Sequence, residues 1–197
     1  MSKTIDVYFD VGSPATYLAW TQLPALADRN NASINWKPML LGAVFKATGN
    51  QTPAAIPAKG RYMLTDLKRF ADHYGVPFVF NPHFPINTLH LMRGAVGYLD
   101  TDHFQTYLDA VFKALWVDQK NLNDPSVVTE VLANAGFDPD KVMALCNSSE
   151  VKETLKDLTD EAVSRGVFGA PTCFVGNDMF FGQDRLDWVE KAVMSST

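Results

Sequence analysis

Strand-like segments occupy only the two ends of this 197-residue chain, and nearly everything between them reads as helix. Ile5-Asp6-Val7-Tyr8-Phe9 alternates as a short strand does, and Asp10-Val11-Gly12-Ser13-Pro14 breaks it. From Pro14 the residues Tyr17, Leu18, Trp20, Leu23 and Leu26 fall at helical spacing, with Ser13 suited to the N-cap and Pro14 to the first turn. Pro24 lies inside this run, and its ring and missing N–H predict a kink or a division there. Ile34–Met39 is a second strand candidate, so a right-handed strand–helix–strand unit opens the chain.

Residues 42–57, holding Gly49, Asn50, Pro53 and Pro57, read as irregular. Helical patterns follow at 61–74, 87–99, 102–116, 124–135, 138–146 and 149–165. Asp124-Pro125 and Asp138-Pro139 are cap-then-proline starts. Strand character returns at Thr172–Val175. Gly176-Asn177-Asp178 is a turn, Met179–Phe181 a hairpin return, and a terminal helix runs from Arg185 to about Met194. The order is β-α-β, a long helical stretch, then β-β-α: an α/β chain, thioredoxin-like in arrangement, split by a large all-helical insertion. The expected division is 1–41 plus 166–197 for the discontinuous sheet-bearing domain and 42–165 for the insertion.

Composition narrows the function. The 17 Lys and Arg against 22 Asp and Glu leave a formal charge of −5, without the clustered cations a nucleic-acid site needs. No apolar run approaches a membrane span, and the first residues lead straight into a strand, so a cytoplasmic protein is expected. The two cysteines, Cys146 and Cys173, form no CxxC pair and no disulfide scaffold. His73, His83, His90 and His103 show no metal-ligand spacing, so no metal is expected.

Four segments could carry chemistry. Ser13 stands at a helix start directly after a strand, where free N–H groups and the helix dipole stabilise an anion such as a thiolate. Thiol oxidoreductases of thioredoxin type carry CxxC at this place. Here it reads Ser13-Pro14-Ala15-Thr16, which excludes disulfide exchange but leaves a hydroxyl able to donate to a sulfur brought from outside. Taken alone, Ser13 reads first as a plain N-cap. In Gly166-Val167-Phe168-Gly169-Ala170-Pro171-Thr172, a cis Ala170–Pro171 bond would turn the preceding backbone toward a ligand, whereas a trans turn would not. Gly182-Gln183-Asp184-Arg185 opens a helix; Asp184 is either a cap or a carboxylate for a ligand's ammonium group. Asn50 and Lys59, after the second strand, offer a bidentate amide and a charge for a carboxylate, or a solvated polar loop.

Together these segments, with Lys59-Gly60-Arg61-Tyr62, Phe84-Pro85-Ile86-Asn87-Thr88 and Phe180-Phe181-Gly182-Gln183-Asp184, resemble the kappa-class glutathione transferases. They resemble more closely the bacterial 2-hydroxychromene-2-carboxylate isomerases of the thioredoxin-like disulfide-oxidoreductase superfamily. The resemblance implies glutathione as cofactor, with Ser13 meeting its sulfur and Asn50 and Lys59 as side-chain contacts. Val167, Phe168, Ala170 and Pro171 would pair with the cysteinyl segment, and Gln183, Asp184 and Arg185 would lie at the γ-glutamyl end. Kappa transferases commonly carry serine where this chain has Gln183. The resemblance further implies a homodimer and a step in naphthalene breakdown, the interconversion of 2-hydroxychromene-2-carboxylate and trans-o-hydroxybenzylidenepyruvate. The opposing, substrate-facing wall is expected from the insertion, with Phe84, Asn87, His90 and Trp116 as candidates. A transferase that conjugates small electrophiles and a non-catalytic thioredoxin-like binding module are the alternatives.

Overall fold

The computed structural model describes residues 3–195. Four strands form one mixed sheet in the order β2-β1-β3-β4. Strand β1 (Lys3–Phe9) runs parallel to β2 (Ala32–Pro38) and antiparallel to β3 (Thr172–Val175), which pairs antiparallel with β4 (Asp178–Phe181). The register sets Ile5 opposite Val175 and Tyr8 opposite Thr172. Two-residue alternation therefore sends Ile5 and Val7 to one face and Tyr8 to the other.

The Ile5/Val7 face is covered by helices α1 (Pro14–Arg29) and α9 (Leu186–Ser195), through Leu23, Leu26, Val189 and Val193. Tyr8 and Phe174 on the opposite face pack with Val44 of α2 (Leu41–Thr48) and Ala162 of α8 (Ser149–Ser164). The sheet is thus a middle layer between helices, which hides its central strands from water. A boundary at 165 cuts α8 away from the sheet its C-terminal half covers. Its N-terminal half, through Val151 and Leu155, packs into the helical core instead.

That larger core belongs to α3 (Pro57–Tyr74), α4 (Leu89–Tyr98), α5 (Phe104–Trp116), α6 (Pro125–Asn134) and α7 (Pro139–Asn147), and it takes in Phe9 and Val11 at the end of β1. Trp116 is fully buried within it, and its indole N–H donates to the Val11 carbonyl at 2.9 Å. Tyr17 donates to the Pro77 carbonyl at 2.6 Å, and Trp20 to Asp109 at 2.7 Å. Helix α1 is therefore held on both sides, by the sheet and by the insertion.

Three local expectations change. Pro24 does not divide α1, which runs unbroken from Pro14 to Arg29. The proline is on the exposed side, where water can serve the carbonyl its missing N–H leaves free, while Leu23 and Leu26 on the buried side hold the helix. The stretch 42–57 is not irregular. It contains α2, stopped by Gly49 at φ 71, and a 3-10 turn at Pro53–Ala55. Helix α3 starts at Pro57 rather than 61, with proline in its first turn, so Lys59 belongs to a helix and not a loop.

The indole–carbonyl bond ties the insertion to the turn that carries Ser13. Trp116→Phe should destabilise the protein by about 2–4 kcal/mol, combining lost buried volume with an unsatisfied buried carbonyl. Denaturant titration reads this as a lower midpoint with an unchanged slope.

Candidate active site

The end of β1 and the start of β3 lie side by side because the two strands run in opposite directions. Strand β1 leaves into one turn and β3 arrives from another at the same end of the sheet. The Ser13 side chain caps α1, accepting from the Thr16 N–H at 3.2 Å with its backbone at φ −92, ψ 117. Its hydroxyl donates across the sheet end to the Ala170 carbonyl at 2.8 Å. The Ala170–Pro171 bond is cis, as is Phe84–Pro85. Ser13 is buried, and both it and Ala170 face a cleft of about 1220 Å³.

Three carbonyls in succession before Pro171 are occupied by side chains. Asn50 donates to Phe168 at 2.7 Å, Thr172 to Gly169 at 2.8 Å and Ser13 to Ala170. Asn50 also accepts from the Gln51 N–H at 2.8 Å, so it fastens its own loop to this segment. Lys59 lines the cleft from the first turn of α3 and has no ion-pair partner among the described residues. Asp184 and the buried Gln183 close the far side, where a 3-10 turn (Gln183–Arg185) leads into α9. Arg185 is off the cleft wall and binds the Asp184 carboxylate at 2.6 Å. The Tyr74 hydroxyl donates to the Gln183 carbonyl at 2.8 Å, and burial pushes its pKa up to about 12.

The structure thus brings Ser13, Asn50, Lys59, Phe168, Ala170, Gln183 and Asp184 to one cleft. Val167 and Pro171 are buried behind it. Of the substrate-wall candidates only Phe84 lines it. Asn87 is exposed and uses its side chain to accept from the Leu89 N–H at 3.1 Å at the start of α4. His90 is exposed and off the cleft wall, and Trp116 is buried in the insertion core. Between Asn87 and His90, it is Thr88 that reaches the cleft. The remaining apolar wall comes from Phe45 of α2, Met63 and Leu67 of α3, and Ile86. Reading 42–57 as irregular hid Phe45. Asp10, also on the cleft wall and 1% exposed, is a second residue the motif reading left without a role.

Residues 4–194 match the DsbA-like thioredoxin domain. The chain belongs to that family. Within this DsbA-like group it is 32% identical to the 2-hydroxychromene-2-carboxylate isomerase of Sphingobium xenophagum over 98% of this chain and 100% of the relative. It is 26% identical to glutathione S-transferase kappa 1 of Homo sapiens, covering 95% and 89% of the two chains. A solved structure of 2-hydroxychromene-2-carboxylate isomerase superposes with a TM-score of 0.83 at 32% identity, over 96% of this chain and 93% of the other.

Neither cysteine belongs to the cleft. Cys173 is buried in β3, where burial pushes its thiol up to about 12. Cys146, on α7, is raised to about 11 for the same reason and donates to the His90 carbonyl at 3.3 Å. Both stay protonated at neutral pH and shielded from reagents. The folded protein should leave a chromogenic disulfide reagent unreacted over minutes, and release two thiols per chain once denatured. Rapid reaction of either thiol in the folded protein would contradict the burial described.

Proposed function

We propose that this protein is a glutathione-dependent isomerase that interconverts 2-hydroxychromene-2-carboxylate and trans-o-hydroxybenzylidenepyruvate, in the breakdown of aromatic hydrocarbons such as naphthalene. The observation that carries this reading is the Ser13 hydroxyl at the N-terminus of α1, bonded to the carbonyl before Pro171 on the wall of a cleft that is polar on one side and apolar on the other.

Glutathione would supply a thiol that adds reversibly to a conjugated double bond, leaving a single bond free to rotate before the thiolate departs. Ser13 suits an incoming sulfur. A hydroxyl has one proton and two lone pairs, so it can turn its O–H from Ala170 to a thiolate while still accepting from Thr16. That turn frees the Ala170 carbonyl for a backbone N–H of the cysteinyl residue. The helix N-terminus adds its partial positive charge. Lys59 sits in the first turn of α3, where the dipole disfavours a cation, and without a partner it is available to a carboxylate. Asp184 would receive the γ-glutamyl ammonium group, sharing it with Arg185. Asn50 holds the Phe168 carbonyl, which supports a role in shaping the pairing backbone. Phe45, Met63, Phe84 and Ile86 form the surface on which an aromatic ring would rest. In this reading the enzyme works as a homodimer in the cytoplasm.

A second reading is a transferase that keeps the glutathione adduct. It is favoured by the scarcity of positive charge: Lys59 is the one cation on the cleft wall among the described residues, which suits an uncharged electrophile. Product analysis separates the two, since isomerisation returns free glutathione and transfer consumes it.

Isothermal titration should show glutathione binding that weakens about 10- to 100-fold in Lys59→Ala and in Asp184→Ala, the range for one lost charge-assisted hydrogen bond. Isomerisation of 2-hydroxychromene-2-carboxylate should require added glutathione. No binding by the unaltered protein at millimolar glutathione would sink the proposal.

Ser13→Ala should raise the pKa of the bound glutathione thiol by about one unit, followed by thiolate absorbance against pH. Losing a donor to the anion disfavours the anion, so the thiolate fraction and the rate at neutral pH should both fall. The same change removes a helix cap, at about 1 kcal/mol of stability. An unshifted titration would reject thiol activation by this hydroxyl.

A further inference from the structure

The Ser13 turn is held by a buried group that the reaction as proposed leaves unused. The Asp10 carboxylate is 1% exposed and accepts three hydrogen bonds: from the Gly12 N–H at 2.8 Å, the Leu41 N–H at 2.9 Å and the Thr88 hydroxyl at 3.0 Å. Each donor belongs to a different wall of the cleft: the turn into α1, the start of α2 and the residue before α4. Helix α2 has Leu40 at its N-cap, which offers no side-chain acceptor, so Asp10 supplies the missing cap from 31 residues away. The Asp10 main chain meanwhile accepts from the Ser13 N–H at 3.1 Å.

Space is tight as well. A Cβ on Gly12 would sit 2.8 Å from the Thr88 methyl and 3.3 Å from Asp10 Oδ1. Burial pushes the Asp10 carboxyl pKa upward, and the three hydrogen bonds oppose it. The Gly12 and Leu41 N–H groups can only donate and meet different carboxylate oxygens, so only a group that accepts at both satisfies them. An asparagine has one acceptor oxygen, and its NH₂ would face a donor.

We propose that Asp10 is a positioning residue whose carboxylate locks the Ser13 turn, α2 and α4 into the arrangement that aims the Ser13 hydroxyl into the cleft. This role rests on the glutathione reading of the site and acts through Ser13.

Two measurements test it. In the protein without ligand, Asp10→Asn should speed amide hydrogen exchange at both Gly12 and Leu41 by about tenfold or more, with α9 unchanged. At saturating glutathione, the same variant should lose half or more of the bound-thiolate absorbance seen in the unaltered protein at one neutral pH. A purely structural role would lower the melting temperature without moving that signal. Thr88→Val, which removes one donor, should lose part of it, and Thr88→Ser should restore what the valine lost. Unaltered exchange at Gly12 and Leu41, or an undiminished thiolate signal in Asp10→Asn, overturns the proposal. If Asp10→Asn does not fold, equal signals from the valine and serine variants overturn it instead. An unaltered protein that binds no glutathione refutes the glutathione reading and the role in thiolate formation with it. That outcome is distinct, because it is read before any variant is made.

Discussion

The antiparallel pairing of β1 with β3 joins parts of the chain separated by more than 160 residues, and the site exists only because of it. Tyr8 opposite Thr172 is the last step of that ladder. Beyond it, one strand leaves toward Ser13 and the other arrives from Ala170, so a hydroxyl and a carbonyl meet at 2.8 Å. A parallel pairing would have sent these two turns to opposite ends of the sheet. Burial of Ile5, Val7, Cys173 and Val175 beneath α1 and α9 makes a one-residue slip costly, because it would carry this apolar set to the other face.

Around that junction the backbone is irregular, and its polar groups are met by side chains rather than by strands. The carbonyls of Phe168, Gly169 and Ala170 accept from Asn50, Thr172 and Ser13, and the Val11 carbonyl accepts from Trp116. Asp10 gathers the N–H groups of Gly12 and Leu41. A buried unpaired carbonyl or N–H costs more than a hydrogen bond returns, so these partners restrict the turns to one conformation.

Much of this was legible from residue order. Alternation in 5–9, the Ser13-Pro14 helix start and the proline-capped starts of α6 and α7 are local signals, and the elements form where those signals stand. Helix α2 was not legible, because its cap comes from Asp10 and its sequence holds Gly42 between two turn-like regions. Asn87 and His90 were placed on the substrate wall by segment rather than by side-chain direction. In the folded chain Thr88, between them, is the residue that faces Asp10.

The sequence by itself determined most of the element types, the split of the strands to the two ends, the absence of a CxxC pair and the family resemblance, since each depends on neighbouring residues or on motif order. Tertiary structure alone decided which hydroxyls, carboxylates and carbonyls converge. Ser13 and Ala170, Asp10 and Thr88, and Trp116 and Val11 are far apart in the chain. Their meeting follows from strand direction, helix packing and the need to satisfy buried polar groups, none of which a local pattern records.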